Sequence, residues 1–412
     1  MRVLKTKRQC IISICAAALV VLVTALTGCV GMPDGHWAAE ETPEPTAVLT
    51  TAPTPTQVPT EVPTAEPTAT PEPAEARLML VGDLMCLGKQ QTAAIAQGRQ
   101  TGRTYDFRPT FKYVKEIFSK ADFVVGNVET VLSDSSPYSS SISRMNGMPY
   151  CNGPSTYLNA LIDAGFDALV CANNHNCDAG TLGVEETIAA IEEKNIPYIG
   201  LYENEETPHY IIIDVNGIKI GLLAYTATCN DLEGPVLDDG KGYMLSFYSE
   251  EAVKRDVEAA RAAGAEFIIA YNHWGNEFTH EPNDSVKMRA KQMADAGVDL
   301  IAGSHPHAIQ PVVWLTAADG RAVLCAYSLG NFASSMSKDM SKNTFILDVA
   351  ISRKADGRVS IDSRNMLPCR TIADLYDEKY VIVPTSAEGL PENIMMELAE
   401  AETEIRSNLG LE

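Results

Sequence analysis

Histidine is scarce in this chain of 412 residues, which has seven. Four of them follow short apolar runs that read as buried strands. Leu78 to Val81 leads into Gly82-Asp83, and Phe123 to Val125 leads into Gly126-Asn127-Val128-Glu129. Ala168-Leu169-Val170 leads into Ala172-Asn173-Asn174-His175, with Asp178 and Gly180 just beyond. Phe267-Ile268-Ile269 leads into Asn272-His273-Trp274-Gly275 and Glu277, and Leu300-Ile301-Ala302 into Gly303-Ser304-His305-Pro306-His307. Imidazole and carboxylate donors of this kind suit Mn, Zn or Fe. Two such ions ~3.5 to 4 Å apart can clamp a phosphoryl group and activate water for in-line attack. Any one of these residues alone reads equally well as a satisfied core histidine or a turn aspartate. Five strand ends carrying the same donor types argue for one shared place, because ligands of α/β sheets bind at the carboxyl ends of strands. Pro306 fixes its own φ and restricts His305, so His-Pro-His places two imidazoles on a stiffened loop.

The elements that must position these residues alternate. Helical patterns close at Ala164-Gly165, Ala263-Gly264 and Ala296-Gly297, each followed by an apolar strand, and glycine there fits a left-handed helix cap. Strands without hydrophobic alternation are buried on both faces, so the rhythm predicts a layered α/β core. A second pattern is interleaved. Asn216-Gly217 between Ile211 to Val215 and Ile218 to Leu223 is a strong hairpin signal, and Asp319-Gly320 and Asp356-Gly357 lie between further apolar runs. These hairpins predict a second, more antiparallel set of strands packed beside the first, giving two sheets between helical layers.

The chain opens on a basic cluster (Arg2, Lys5, Lys7, Arg8), an uncharged apolar run from Ile11 to Leu26, and Leu26-Thr27-Gly28-Cys29. That is a secretory layout ending in what looks like a lipoprotein cleavage box; the run is short for a span, which needs about 20 apolar residues. The alternative is an uncleaved anchor helix. Residues 1–29 are therefore expected to be a signal peptide ending at a lipidated Cys29, with the rest at the extracellular face of the cell membrane. Residues 30–76 are rich in Thr, Pro, Glu and Ala with little to bury, and are expected to be a disordered tether with a reach on the order of 150 Å. A globular domain is expected over 77–385 and a helical segment over 386–412. Loss of the signal takes the formal charge from −22 to −26, which argues against nucleic acid as a partner. The seven cysteines beyond Cys29 lack CxxC spacing and read as buried free thiols.

Six blocks, in order, resemble the signature of the CapA family of capsule (poly-γ-glutamate) synthesis proteins. They are Gly82-Asp83 with Met85; Gly126 to Glu129; Ala172 to His175 with Asp178 and Gly180; His273-Trp274-Gly275 with Glu277; Gly303 to His307 with Gln310-Pro311; and Tyr327-Ser328-Leu329-Gly330-Asn331-Phe332. The resemblance implies an α/β calcineurin-like metallophosphoesterase fold, two packed mixed β-sheets flanked by helices in an α/β/β/α sandwich. Carried over residue by residue, it implies Asp83, Asn174, His273, His305 and His307 as metal ligands and His175 as the group acting on the leaving atom. Two departures from the phosphoesterase pattern stand out. The usual Asp-x-His is Asp83-Leu84-Met85, and the usual bridging aspartate is Asn127. Glu129, Asp178 or Glu277 would then supply carboxylates, with Glu129 assigned to the metal and Asp178 and Glu277 to catalysis beside His175. The implied cofactor is one or two divalent ions, Mn, Zn or Fe, and the implied partners are other capsule synthesis subunits and poly-γ-glutamate. Two functions stay open: a metal-dependent hydrolase or transferase acting on a phosphoester or envelope polymer, and a non-catalytic metal- or polymer-binding subunit. A plain solute-binding lipoprotein would not need histidines at several strand ends. Trp274 reads equally as lid or core, and the Tyr327 to Phe332 block as loop-fixing or substrate-contacting.

Overall fold

Successive residues of the first strand feed two different cores in the computed structural model, which describes residues 72–145 and 147–411. The signal, the Cys29 box and nearly all of the tether lie outside the described residues. Leu78 and Leu80 pack with Phe123 and Val125 against Ile220, Leu222, Phe267, Ile269 and Leu300 of another sheet. Met79 and Val81, pointing the opposite way, join Val124 and Leu169 against Leu158 and Leu161 of helix Tyr157–Ala164 and Val184 and Ile188 of helix Gly180–Glu193. The second sheet repeats the device. Its other face, Leu223, Ile268, Ala270 and Ile301, packs on Val253 and Val257 of helix Glu250–Ala262 and on Ala290 and Met293 of helix Asp284–Ala296. The layers are helix, sheet, sheet, helix. Each aliphatic side chain taken from water in them contributes about 1.5–3 kcal/mol before conformational entropy is charged against it.

The larger sheet has eight strands. Glu75–Leu84 lies near its middle, parallel to Phe123–Asn127 and antiparallel to Asn343–Arg353. Ala168–Val170 and Tyr198–Ile199 continue the parallel side, while Val359–Leu375 and Glu378–Pro384 continue the antiparallel one. The smaller sheet has six strands, with Leu300–Ser304, Phe267–His273 and Ile218–Thr226 parallel at its centre. All three predicted hairpins form: Ile211–Val215 with Ile218–Thr226, Val312–Thr316 with Ala322–Ala326, and Asn343–Arg353 with Val359–Leu375. They do not make a separate antiparallel sheet. The parallel strands are divided between the two sheets and the hairpins extend both, because strands apolar on both faces take the doubly covered centres and the half-exposed outer arm of each hairpin takes a flank. Gly165, Gly264 and Gly297 follow their helices with left-handed φ, as the Ala-Gly pattern implied. Helix Glu392–Leu409 seats Ala401, Ile405 and Leu409 on the inter-sheet core. No helix among the described residues is long and apolar enough to cross a membrane.

The Tyr327 to Phe332 block is a strap across the ends of both central strands. The Asp83 amide donates to the Gly330 carbonyl (3.0 Å), the Leu329 amide to the Gly303 carbonyl (2.9 Å), and Asn331 pairs in register with Asp83. Trp274, 2% exposed, donates its indole N–H to the Tyr327 carbonyl (3.0 Å), so it is a core clamp on the strap rather than a lid. The strap can come this close only because two strand ends lack side chains. A Cβ on Gly82 would stand 1.9 Å from the Gly330 oxygen, and one on Gly303 1.9 Å from the Tyr327 oxygen. Both obstacles are backbone and cannot rotate away. Gly303→Ala should therefore lower stability by about 1–3 kcal/mol in urea unfolding; an unchanged midpoint would show that the strap is not packed as described.

Candidate metal centre

The two sheets present their strand ends side by side. Asp83 and Asn127 are register neighbours in the larger sheet, and His273 and Ser304 are register neighbours in the smaller one. Glu129 lies two residues past its strand, and His305 and His307 follow Ser304 on a short loop. That loop is strained: His305 has φ +93° and His307 φ +53°, left-handed values that non-glycine residues adopt at a cost and that cluster at ligand-binding sites.

Three donor atoms converge around one nitrogen. His273 Nε2 is 2.9 Å from Asn174 Oδ1, 3.1 Å from His305 Nδ1 and 3.3 Å from Glu129 Oε1. Its other nitrogen, Nδ1, meets Ser304 Oγ at 2.9 Å. A proton donated there leaves Nε2 a bare lone pair, the usual tautomer logic of a ligating histidine. Lone pairs facing one another at this range repel unless a proton or cation lies among them. Ligand bonds of about 2.0–2.2 Å place donor atoms about 3 Å apart, so these spacings fit a transition-metal ion. A second donor set, Asp83, Glu129 and His307, overlaps the first. His307 Nδ1 lies 3.7 Å from an Asp83 oxygen and 3.8 Å from a Glu129 oxygen, and it also meets Asn331 Oδ1, so it ligates an ion only when that hydrogen bond is released.

Glu129 belongs to both sets, taking the joining position that the sequence left without a carboxylate at Asn127. It is fully buried, and no protein donor reaches either of its oxygens unless Asp83 is itself protonated. Buried polar atoms are nearly always partnered, and a buried carboxylate lacking donors is costly. Burial pushes the Glu129 carboxyl up to about 8, against the opposing pull of His175. Burial, with the Glu129 charge adding, pushes Asp83 up to about 7. His273 is held down at about 4 by burial; His305 is held well below the usual imidazole range by burial and by the neighbouring His273 and His175, and His307 by burial and by His305. Neutral imidazoles and carboxylates that resist ionisation are a site waiting for positive charge.

The remaining predicted residues take distinct places. His175 Nδ1 donates to Asp178 Oδ2 at 2.7 Å, and its Nε2 lies 3.9 Å from Glu129 Oε1. Asp178 also accepts the Cys151 amide at 2.6 Å, so it positions His175 and belongs to neither donor set. Burial favours the neutral His175 ring, but Asp178, Glu129 and Glu277 outweigh it and raise the group to about 9. Glu277 is exposed at the rim and acts on His175 and Glu129 only through its charge. Asn127 is a supporting residue, donating to Asp83 Oδ1 at 2.7 Å. Sequence reasoning did not identify Asn230, whose Oδ1 takes the Asn174 amide (3.2 Å) and leaves Asn174 Oδ1 facing His273. It also missed Phe278, whose ring lies beside His307. Asn331 resolves to the loop-fixing role: its Oδ1 meets His307 Nδ1 at 2.8 Å and its amide donates to the Ser341 carbonyl.

Residues 77–336 match the family model described as bacterial capsule synthesis protein PGA_cap. Over 283 residues the chain is 26% identical to the PGA biosynthesis protein CapA of Bacillus subtilis (strain 168), covering 66% of this chain and 70% of that one. It is 28% identical over 266 residues to the capsule biosynthesis protein CapA of Bacillus anthracis, covering 63% of this chain and 60% of that one. Among solved structures it is similar to the calcineurin-like phosphoesterase YfkN from Bacillus subtilis, with a TM-score of 0.41 and 14% identity over 81% of this chain and 98% of the other. At that distance no site residue is transferred.

The protonation pattern has a consequence for stability. Asp83, Glu129 and His175 keep their protons to about 7, 8 and 9 when folded, against ordinary values of 3.8, 4.5 and 6.5. Each contribution is complete below the ordinary value and is lost as pH rises through the folded one. The depressed histidines oppose this only below about pH 6.5, where the unfolded chain binds their protons. Chelator-treated protein should therefore melt at progressively lower temperature from about pH 6.5 to 9, and added Mn or Zn should abolish the decline by replacing protons with the ion. Scanning fluorimetry across that range checks it; a metal-insensitive profile would count against the centre.

Proposed function

Since the chain belongs to the bacterial capsule synthesis protein family PGA_cap, we propose that it acts at the cell surface in making, exporting or anchoring a capsule polymer of the poly-γ-glutamate kind, through a divalent-metal centre of hydrolytic type. The observation that carries the metal reading is Glu129, buried, lacking donors and common to both donor sets. Asn174, His273, His305 and Glu129 would hold one ion, and Asp83, His307 and Glu129 a second. Such ions supply Lewis acidity, polarising a substrate oxygen and acidifying water. The chain's own groups do the rest. Asp178 fixes the His175 ring through Nδ1 and keeps it protonated, leaving the Nε2 edge toward Glu129 to hand a proton to a leaving oxygen or nitrogen as a phosphoester or amide bond breaks. Ser304 orients His273 through Nδ1 and leaves its Nε2 for an ion, while His307 would have to give up its Asn331 contact to ligate through Nδ1.

A second reading, a non-catalytic metal- or polymer-binding subunit, is favoured by one feature. The Asn127 amide occupies Asp83 Oδ1, at the position where the phosphoesterase pattern has a bridging carboxylate. The two readings separate on His175. If the protein is a hydrolase, cleavage of a generic phosphoester or a γ-linked glutamate polymer should require Mn or Zn and fall at least about 100-fold in His175→Ala, with metal content unchanged. Asp178→Asn should move the alkaline limb of the rate profile to lower pH, because the largest influence raising His175 is gone. A metal-loaded protein that is inert to both substrates, and whose His175→Ala variant still supports capsule formation, establishes the scaffold reading.

Surface attachment is part of the proposal and rests on Leu26-Thr27-Gly28-Cys29. Mass spectrometry of the mature protein should find a diacylglyceryl-modified Cys29 at its N-terminus, and Cys29→Ala should accumulate unprocessed precursor. An unmodified Cys29 removes the lipid anchor from the picture.

A further inference from the structure

An amide side chain that presents oxygen to a cation has a second end, and something must hold that end away. In the metal centre the amide is that of Asn174, which is buried and whose Oδ1 lies 2.9 Å from His273 Nε2. The backbone around it is fixed by its neighbour: Asn173 donates through Nδ2 to the Val128 carbonyl (2.8 Å) and accepts the His175 amide (3.1 Å). Neither contact decides which end of the Asn174 amide faces inward. With the Nδ1 proton of His273 given to Ser304 Oγ, Nε2 offers a lone pair. A reversed Asn174 amide would donate an N–H to that lone pair, whereas the observed one sets an oxygen against it. Left to itself the centre would satisfy its own lone pairs and close to an ion.

What opposes this comes from the other sheet. Among the described residues the acceptor for the Asn174 Nδ2 group is Asn230 Oδ1, at 3.2 Å. Asn230 lies in the loop beyond strand Ile218–Thr226, and that loop is tied down along its length. The Ala227 amide donates to the His273 carbonyl (3.0 Å), Thr226 Oγ1 donates to the Thr228 carbonyl (2.8 Å), and Thr228 Oγ1 accepts the Asn230 amide (3.0 Å). Cys229, fully buried, anchors it in the core beneath the larger sheet. Asn230 and Asp231 have left-handed φ values of +58° and +57°, and strained non-glycine backbone of this kind clusters at ligand-binding sites. We propose that Asn230 is a positioning residue of the metal centre: its acceptor oxygen holds the Asn174 amide with its own oxygen toward the ion, and so keeps the centre from closing on itself. The assignment rests on the metal reading but concerns a residue outside both donor sets. It makes the requirement at position 230 a chemical one, for an acceptor, and accounts for a polar side chain where glycine would be free of strain.

Calorimetric titration of Mn and of Zn into the metal-free full-length protein and its variants provides the test. Asn230→Gly removes the acceptor yet suits the left-handed backbone, so it should weaken metal binding about tenfold or more. Its melting temperature in chelator should stay within about two degrees of the parent. Asn230→Asp, an acceptor at either end, should bind as tightly as the parent or more so. Asn174→Ala should bind weakly, and adding Asn230→Gly to it should cost nothing further, because Asn230 acts through Asn174 alone. The visible absorption of the Co(II)-loaded protein gives a second readout. Asn230→Gly should change it in the same sense as Asn174→Ala, while Asn230→Asp keeps the parental spectrum. Parental affinity and spectrum in Asn230→Gly overturn the assignment and leave the centre intact. So does a loss in Asn230→Gly that persists undiminished in the Asn174→Ala background. A parent that binds no divalent ion overturns the centre and the assignment together.

Discussion

Two carboxylates buried against each other are the constraint around which the centre of this protein is arranged. Glu129 and Asp83 are fully enclosed, and water cannot solvate them. A pair of like charges in such a place cannot both ionise without compensation. The surroundings supply imidazole lone pairs, an amide oxygen and one bound histidine rather than a lysine or arginine. An arginine would have made a closed ion pair and a stable core. Lone pairs and carboxylates together attract positive charge, which is why the site reads as a binding place and not as a structural salt bridge.

That arrangement is built by backbone. The donors come from strands of two different sheets, and the strap from Tyr327 to Phe332 holds the sheet ends together by hydrogen bonds to Asp83 and Gly303. The absence of side chains at Gly82 and Gly303 is as much a part of the centre as the histidines are. The same strap delivers Asn331 to His307, and Trp274 locks it from the smaller sheet. Strain in the His-Pro-His loop is tolerated because the strand that leads into it, Leu300–Ser304, is buried on both faces and cannot shift to relieve it.

Much of this was legible in the sequence. Apolar runs without alternation announced strands covered on both faces, Ala-Gly pairs announced helix ends, Asn216-Gly217 announced a hairpin, and polar residues after five strands announced their convergence. These signals are local: each depends on a few neighbouring residues and on where a strand must end. What the sequence left open was every question of direction. It could not say that the hairpins would extend both sheets instead of forming their own, that Glu129 would be the carboxylate common to both donor sets, or that Asp178 would turn to His175 and Glu277 would stay at the rim. Nor could it show that Trp274 would be a clamp, or that Asn230 and Phe278 would reach the centre from distant loops. Those outcomes depend on which of several equally suitable side chains is aimed inward, and aim is set by the packing of two sheets and a strap separated by up to some 250 residues of chain. Residue type fixed the chemistry available to this protein; only the tertiary structure decided which atoms would share one small, water-poor volume, because donor atoms act together over about 3 Å and no spacing along a chain specifies that distance.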